Sequence, residues 1–418
     1  MPPEPAPEPA ILFVAMLENR WAMLAVIFIT RTAMGLMFQS LAAVGPSLID
    51  DLRLTHFHYS LLLGLFLLPG GVMALPGGML GQRFGSRHIA SAGLALMVLG
   101  GFVTAQCPGF ALAAVGRVVK GVGGVLLNVA LTKMVADWFT GREISTGMGV
   151  MLTSFPVGMA LAMALLPRLA ATYSWRAAIH VCVAATAVGL IVLLSLYRDP
   201  PVRADAPARP AGFGARLTGR DVALSGSSGL AWGLFNAGFF VLAGFAAAYL
   251  AAQGTSVADA AFTLSIGIMA SLVSVPLGGY LADRLGRPNL VIVSGCLATA
   301  LFTALMPLLP GPTLWVVLMG IMYGVPPGAM MSLLPQALPA NRLSTGLGIY
   351  YTVFYLSIVG CLLLAGAARD LSGGPVAPVF FAALITAATV PCVALFRFLE
   401  RSAAKVRGGC RLGSRVQP

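Results

Sequence analysis

The sequence predicts an all-α membrane protein of twelve transmembrane helices, arranged as two six-helix repeats. Three observations predict it. Of 418 residues, 58% are hydrophobic and only 10% charged, against roughly 25% charged in an ordinary soluble domain. A chain so poor in charge cannot cover a surface in water, so most of its surface must meet lipid. Twelve apolar runs come close to the roughly 20 residues that cross a bilayer as a helix. Finally, one loop pattern occurs twice. Gly77 to His88 reads G-G-M-L-G-Q-R-F-G-S-R-H and Gly278 to Pro288 reads G-G-Y-L-A-D-R-L-G-R-P. The two copies lie about 200 residues apart, as in a duplicated bundle.

Taken in order, Met1 to Ala10 is rich in Pro and Glu. It is expected to be disordered, and it lacks the basic start of a signal peptide. The first six helices are expected near 21–44, 59–80, 89–105, 110–135, 145–166 and 177–196. Residues 1–197 then form the first bundle. Residues 198–220 are rich in Pro, Ala and Arg and read as a solvated cytoplasmic linker. The second bundle, 221–400, holds helices near 222–251, 258–281, 289–308, 313–335, 344–367 and 376–398. Residues 401–418 form a basic cytoplasmic tail, expected to be disordered. A second repeat supports the duplication. Ser145-Thr-Gly-Met-Gly-Val-Met-Leu-Thr153 opens helix 5, and Ser344-Thr-Gly-Leu-Gly-Ile-Tyr-Tyr-Thr352 opens helix 11.

The net charge of +12 would suggest nucleic acid in a soluble protein. Here it reflects topology, because cytoplasmic loops accumulate Lys and Arg. With both termini inside, 19 of the 26 Lys and Arg residues fall on the inner side and 4 outside. Three lie within helices. The expected location is a plasma membrane of the bacterial inner type, with both termini cytoplasmic. The six cysteines are scattered and form no C-x-x-C pair. No metal, cofactor or disulfide framework is expected, and no P-loop is present.

The loop motif resembles the signature of the major facilitator superfamily of secondary transporters, G-x-L-A-D-R-x-G-R between helices 2 and 3. The second copy matches it throughout, with Gly279, Asp283, Arg284, Gly286 and Arg287. The first copy keeps Gly78, Arg83 and Gly85, but Gln82 stands in the place of the Asp. Arg117-Val-Val-Lys120-Gly121-Val-Gly123 is similar to the family's helix 4 motif, with Lys120 in the place of Gln. In helix 5, Ser154-Phe-Pro156-Val-Gly158 stands where antiporters carry a glycine-proline motif, and the nitrate-porter signature is missing too. Arg31, Val44-Gly45-Pro46 and Lys133-Met-Val-Ala-Asp137-Trp138-Phe139 look most like the cyanate-permease branch. The resemblance implies the major facilitator fold and gating by the loop residues. It also implies a central cavity lined by helices 1, 4, 7 and 10.

All fourteen acidic residues fall in tails, loops or helix ends. Three cations do not: Arg31, Arg117 and Lys120. Each costs about 2.5–3.5 kcal/mol at a helix centre on insertion scales, so each should face a wet cavity or a partner. Arg31 lies roughly 15 Å into helix 1 at 1.5 Å per residue, near the midplane. Arg31, Gly35 and Gln39 recur at helical spacing, as do Arg117, Lys120, Gly121, Gly124 and Asn128. With no carboxylate among them, an anionic substrate is the economical partner. Arg31, Lys120, Gln39, Asn128, Asn236 and Tyr350 are the expected substrate-binding residues, with Trp232, Tyr323 and Tyr351 as further candidates. Arg117 is expected to serve coupling or structure. The bland alternatives are an Arg bonded to backbone carbonyls and, for the aromatic and amide residues, helix packing.

These readings point to a secondary transporter for a small organic or inorganic anion, expected to act as a monomer by proton-linked uptake. Exchange of anions, efflux of organic compounds and a membrane sensor that does not transport are the alternatives. A cation exporter would be expected to carry an intramembrane Asp or Glu. An enzyme would need clustered His, Asp, Cys or Ser at the midplane. Neither is found.

Overall fold

The computed structural model describes residues 19–54, 56–141, 143–200, 217–254 and 257–413. Much of the expected linker and the end of the tail lie outside these residues. Every regular element among the described residues is an α-helix. Each expected span is covered by one helix or by two in sequence.

Helix α1 (Arg20–Ala43) opens on Asn19, whose side chain accepts the Trp21 amide at 2.9 Å. Such a cap satisfies one of the free amides at a helix start. The short α2 (Gly45–Leu52) follows. The second span is split into α3 (His56–Gly64) and α4 (Gly70–Phe84), because Pro69 has no amide to continue the ladder. Then come α5 (Ser86–Ala105), α6 (Phe110–Phe139), α7 (Ile144–Thr172) and α8 (Trp175–Leu196). The second half begins with α9 (Gly219–Ala252), α10 (Val257–Leu285) and α11 (Pro288–Leu305). The tenth span is split into α12 (Pro312–Tyr323) and α13 (Pro327–Ala337) at Gly324-Val-Pro326. After α14 (Ala340–Ser372), the last span divides into α15 (Val376–Ala387) and α16 (Thr389–Gly413), where Pro391 withholds its amide. Helix α16 runs on through the first part of the expected tail, whose Ala403, Ala404, Lys405 and Arg407 are good helix formers. Nine segments among the described residues are long and apolar enough to cross a membrane. Leu68, Val72, Ile191, Leu363 and Leu371 are exposed, as lipid-facing side chains should be.

The chain divides into two compact units. The first comprises Met1–Pro69, Arg83–Arg142 and Met151–Ala211. The second comprises Gly70–Gln82, Glu143–Val150 and Gly212–Pro418. In the first unit α5 lies along α6 with glycines at the contact. A Cβ on Gly93 would meet the Gly123 carbonyl at 2.7 Å, and one on Gly116 would meet the Gly100 carbonyl at 2.7 Å. Small residues let membrane helices pack backbone to backbone. Helices α1 and α8 pack on this pair. In the second unit α9 packs on α14, α15 and α16, and α10 on α12. Its core includes Val241, Leu242, Tyr249, Met319 and Val379.

Candidate functional site

In the first unit Arg31 is 7% exposed. Its Nη1 donates to the Met151 carbonyl at 3.0 Å, and its Nη2 to Asn128 Oδ1 at 3.2 Å. The guanidinium lies over the Phe155 ring, 5.8 Å from its centre. Glycines bring the two helices together here: a Cβ on Gly158 would strike the Thr32 carbonyl and meet the Leu36 amide nitrogen at 2.7 Å. Pro156 lies inside α7 and has no amide to give the carbonyl of Leu152, four residues back. The Ser154 hydroxyl also donates to the Met151 carbonyl, and Thr32 donates to the Ser154 carbonyl at 3.2 Å. Gln39, two turns along α1 from Arg31, is half-buried and donates to Met163 Sδ at 3.4 Å.

Arg117 is 1% exposed. Its Nε donates to the Leu62 carbonyl at 2.9 Å and its Nη1 to the Phe38 carbonyl at 3.2 Å. Its guanidinium sits 5.0 Å from the Phe66 ring centre. The Leu62 carbonyl lies just before the break between α3 and α4, so Arg117 supplies a donor where the helix ladder stops. The bond to backbone carbonyls is the structural role weighed for an intramembrane Arg.

Lys120 is fully buried, and its Nζ has no hydrogen-bond partner among the described residues. The face expected from sequence divides in two. Gly121 and Gly124 abut Phe66, whereas Lys120 Cγ lies 2.9 Å from where a Gly100 Cβ would be. At 100° per residue Lys120 stands about 60° around α6 from Arg117, enough to turn it toward α5. Asn128, on the Arg117 line, reaches Arg31.

In the second unit Asn236 donates to the Trp232 carbonyl at 2.9 Å and accepts from the Tyr323 hydroxyl at 3.3 Å. Around it runs a column of rings. Tyr323 stacks on Phe235 with centroids 4.6 Å apart and on Phe239 at 4.8 Å. Trp232 stacks against Phe235 and Phe354. Sequence reasoning missed these three phenylalanines, although 232, 235 and 239 share a face at helical spacing. Tyr350 is 1% exposed, donates to Met331 Sδ at 3.1 Å and meets Tyr351 edge to face.

The loop residues form a third group. Gly85 and Gly286 have φ of 85° and 61°, a region open to glycine without strain. Asp283 accepts the Ser145 amide at 3.3 Å, the Thr146 amide at 2.7 Å and the Thr146 hydroxyl at 2.6 Å. Gln82 donates to the Asn341 carbonyl and accepts from the Thr345 hydroxyl. Gly279 lies against the Ser145 carbonyl and Gly78 against the Ser344 carbonyl, so close that neither has room for a Cβ. Each loop copy therefore meets the helix opening of the other repeat. Arg83, Arg284 and Arg287 are exposed, with Arg83 over Phe84 and Arg284 donating to the Tyr280 hydroxyl at 3.1 Å.

The sequence profile of the Major Facilitator Superfamily matches residues 27–361. The chain belongs to this superfamily. It is an integral membrane transporter, not an enzyme. It is 26% identical over 325 residues to a probable nitrate/nitrite transporter, NarK2, of Mycobacterium tuberculosis, covering 73% of this chain and 79% of that one. It is 24% identical over 384 residues to the lysosomal dipeptide transporter MFSD1 of Danio rerio, covering 85% and 82%. Among solved structures, a double Trp mutant of XylE superposes with a TM-score of 0.74 at 15% identity, over 91% of this chain and 98% of that one.

Proposed function

We propose that this superfamily member carries a small anion across the membrane by alternating access, in proton-linked uptake. The observation that carries the reading is Arg31, buried in α1 and held by Asn128 and a main-chain carbonyl. Neither acceptor is charged. No Asp or Glu occurs in the sequence of α1, α5, α7 or α8, and the single one in α6, Asp137, is held by Lys133 at 2.6 Å. A guanidinium recognises carboxylates and other planar anions with two parallel bonds. The relatives' substrates do not choose between an inorganic anion and a dipeptide, although the one for nitrate and nitrite agrees. The finer placement beside cyanate permeases rests on Arg31, Val44-Gly45-Pro46 and Lys133 to Phe139. Both termini are read as cytoplasmic from the charge bias, and the transporter as a monomer in a bacterial-type inner membrane.

Coupling follows from energetics. A monovalent anion entering a cell with a negative interior works against roughly 2.3 kcal/mol per 100 mV. A proton carried inward offsets that work. Exchange against an outgoing anion is the second reading, because Arg31 and Arg117 keep their charges throughout. The test is a thermal-shift screen of the purified protein against nitrate, nitrite, cyanate and short carboxylates. A ligand that binds only the folded state raises the melting point. The expected result is a shift with one class of anion that Arg31→Ala abolishes. Shifts with neutral sugars or organic cations alone would overturn the anion reading.

A further inference from the structure

Three rings of α9 lie on one side of that helix. At 100° per residue Trp232, Phe235 and Phe239 fall within an arc of about 60°, and Asn236 stands beside them. Glycines elsewhere around α9 press it against its neighbours. A Cβ on Gly233 would meet Ser357 Cβ of α14 at 2.6 Å, and one on Gly238 would strike the Thr386 hydroxyl of α15. The ring side carries Tyr323 of α12 and Phe354 of α14. Five rings thus form one ladder, in the order Phe239, Tyr323, Phe235, Trp232, Phe354. Successive planes are tilted by only 24°, 3°, 21° and 20°.

The ladder is closed at its middle and open towards its ends. Phe235 and Trp232 are buried, whereas Phe239, Tyr323 and Phe354 are half-buried. Asn236 is half-buried as well. Its Nδ2 donates to the Trp232 carbonyl, and its Oδ1 accepts from the Tyr323 hydroxyl. An amide has two N–H donors, so one remains for a partner outside the described residues. Polar side chains in membrane-crossing segments turn to the bundle interior or to a wet cavity, not to lipid. Tyr323 belongs to this polar pair and Phe239 stacks on it, so the uncovered ring surface borders the pair. A ring column that served packing alone would gain nothing from a spare amide donor at its border.

Ligand sites combine aromatic walls with a few placed polar groups. A ring face is electron-rich, so it does not hold the charged end of an anion. It holds a flat apolar body, by offset stacking or edge to face. One open N–H is also too few donors to hold an inorganic anion. We propose that this face selects the transported anion as an aromatic carboxylate, whose ring lies against Phe239 and Tyr323. The inference rests on the anion reading above and names the class of anion.

The experiment is a set of melting-shift titrations on the full chain with benzoate, cyclohexanecarboxylate and nitrate. Cyclohexanecarboxylate has the charge and nearly the size of benzoate but no flat face. Wild type should bind benzoate several-fold more tightly than cyclohexanecarboxylate. Phe239→Leu keeps an apolar side chain and removes the ring. It should weaken benzoate by about two- to tenfold in Kd and move cyclohexanecarboxylate less. Phe239→Tyr restores the ring and should restore the preference. Equal Kd values for benzoate and cyclohexanecarboxylate in wild type would overturn the inference, and that comparison stands even if Phe239→Leu fails to fold. An unchanged benzoate preference in Phe239→Leu would overturn it too, and would leave the ladder to packing. A shift with nitrate alone would overturn it while leaving the anion reading intact. Shifts with neutral sugars or organic cations and with none of the three anions would remove the anion reading, and this inference with it.

Discussion

Asp283 closes the start of α7 on Thr146: one carboxylate oxygen accepts both the amide, at 2.7 Å, and the hydroxyl of that residue, at 2.6 Å. The other oxygen takes the Ser145 amide. A carboxylate at a helix start answers both the unpaired amides and the positive end of the helix dipole. Asp283→Asn keeps the shape and removes the charge. It should weaken this contact by about 1 kcal/mol and alter the turnover number more than the Kd for the anion. Transport kinetics and melting-shift titrations on one preparation decide it. Unchanged turnover would remove Asp283 from gating.

Gln82 occupies the matching place at the start of α14, where it bonds Asn341 and Thr345 without a charge. Gln82→Glu gains roughly 0.3–1 kcal/mol from the helix dipole but loses the donor to the Asn341 carbonyl and sets an acceptor against it, at a cost of about 1–3 kcal/mol. The contact should therefore loosen, and amide exchange in residues 340–346 should quicken. Slower exchange there would show that the dipole outweighs the lost donor.

At the start of α9, Asp221 and Thr218 cap each other. The Thr218 amide donates to Asp221 Oδ2 at 2.9 Å, and the Asp221 amide to the Thr218 hydroxyl at 3.2 Å. Arg342 of α14 adds a bond of 2.9 Å to the same carboxylate oxygen. Asp221→Ala removes the cap and leaves Arg342 without this partner. The loss should be about 1–2 kcal/mol by the scale of helix caps, seen as a lower melting point with anion affinity unchanged.

The two repeats were legible because their motifs are local. Gly78, Gly279, Ser145 and Ser344 announce themselves in short stretches. That the copies meet crosswise was not legible, since nothing local says which helix start a loop will reach. Helix breaks were half legible. Pro69, Pro326 and Pro391 stand in the sequence, but apolar runs cross them without interruption, and only packing decides whether a proline kinks a helix or ends it. The buried cations were found by their rarity. Their partners were not, because Met151, Leu62 and Phe38 offer main-chain carbonyls, which no side-chain pattern reports. Lys120 shares a coarse face with Asn128, yet its rotation of about 60° around α6 turns it to another neighbour.

At the end of α2, Asp51 accepts from Trp175 Nε1 at 2.9 Å and Arg176 Nη1 at 2.6 Å. The indole bond first, then the guanidinium, holds this carboxyl below its ordinary value of 3.8. A carboxylate with a lowered folded-state value stabilises the fold above the unfolded value and loses that contribution as pH falls through the folded one. Wild type should therefore melt higher than Asp51→Asn at pH 6, with the gap closing below about pH 4. A gap that stays constant with pH would mean that the geometry, not the charge, does the holding.

Arg31 gives the sharpest test of the site. Its Nη1 and Nη2 donate to Met151 and Asn128, two bonds of a group that carries five N–H donors, so an anion can bond the same guanidinium without displacing the carbonyl. Truncating a buried, hydrogen-bonded charge partner costs about 2–5 kcal/mol, or roughly 30-fold to several-thousand-fold in Kd. Arg31→Ala should fall in that range. Arg31→Lys keeps the charge but loses the planar fork that pairs with an anion through two parallel bonds. It should recover only part of the affinity. Asn128→Ala should weaken binding less than Arg31→Ala, because it removes a group that orients the guanidinium rather than the charge itself. The three Kd values, measured on folded protein at matched melting behaviour, fix the order. Full affinity in Arg31→Ala would make Arg31 a structural clasp on α7 and move the anion elsewhere.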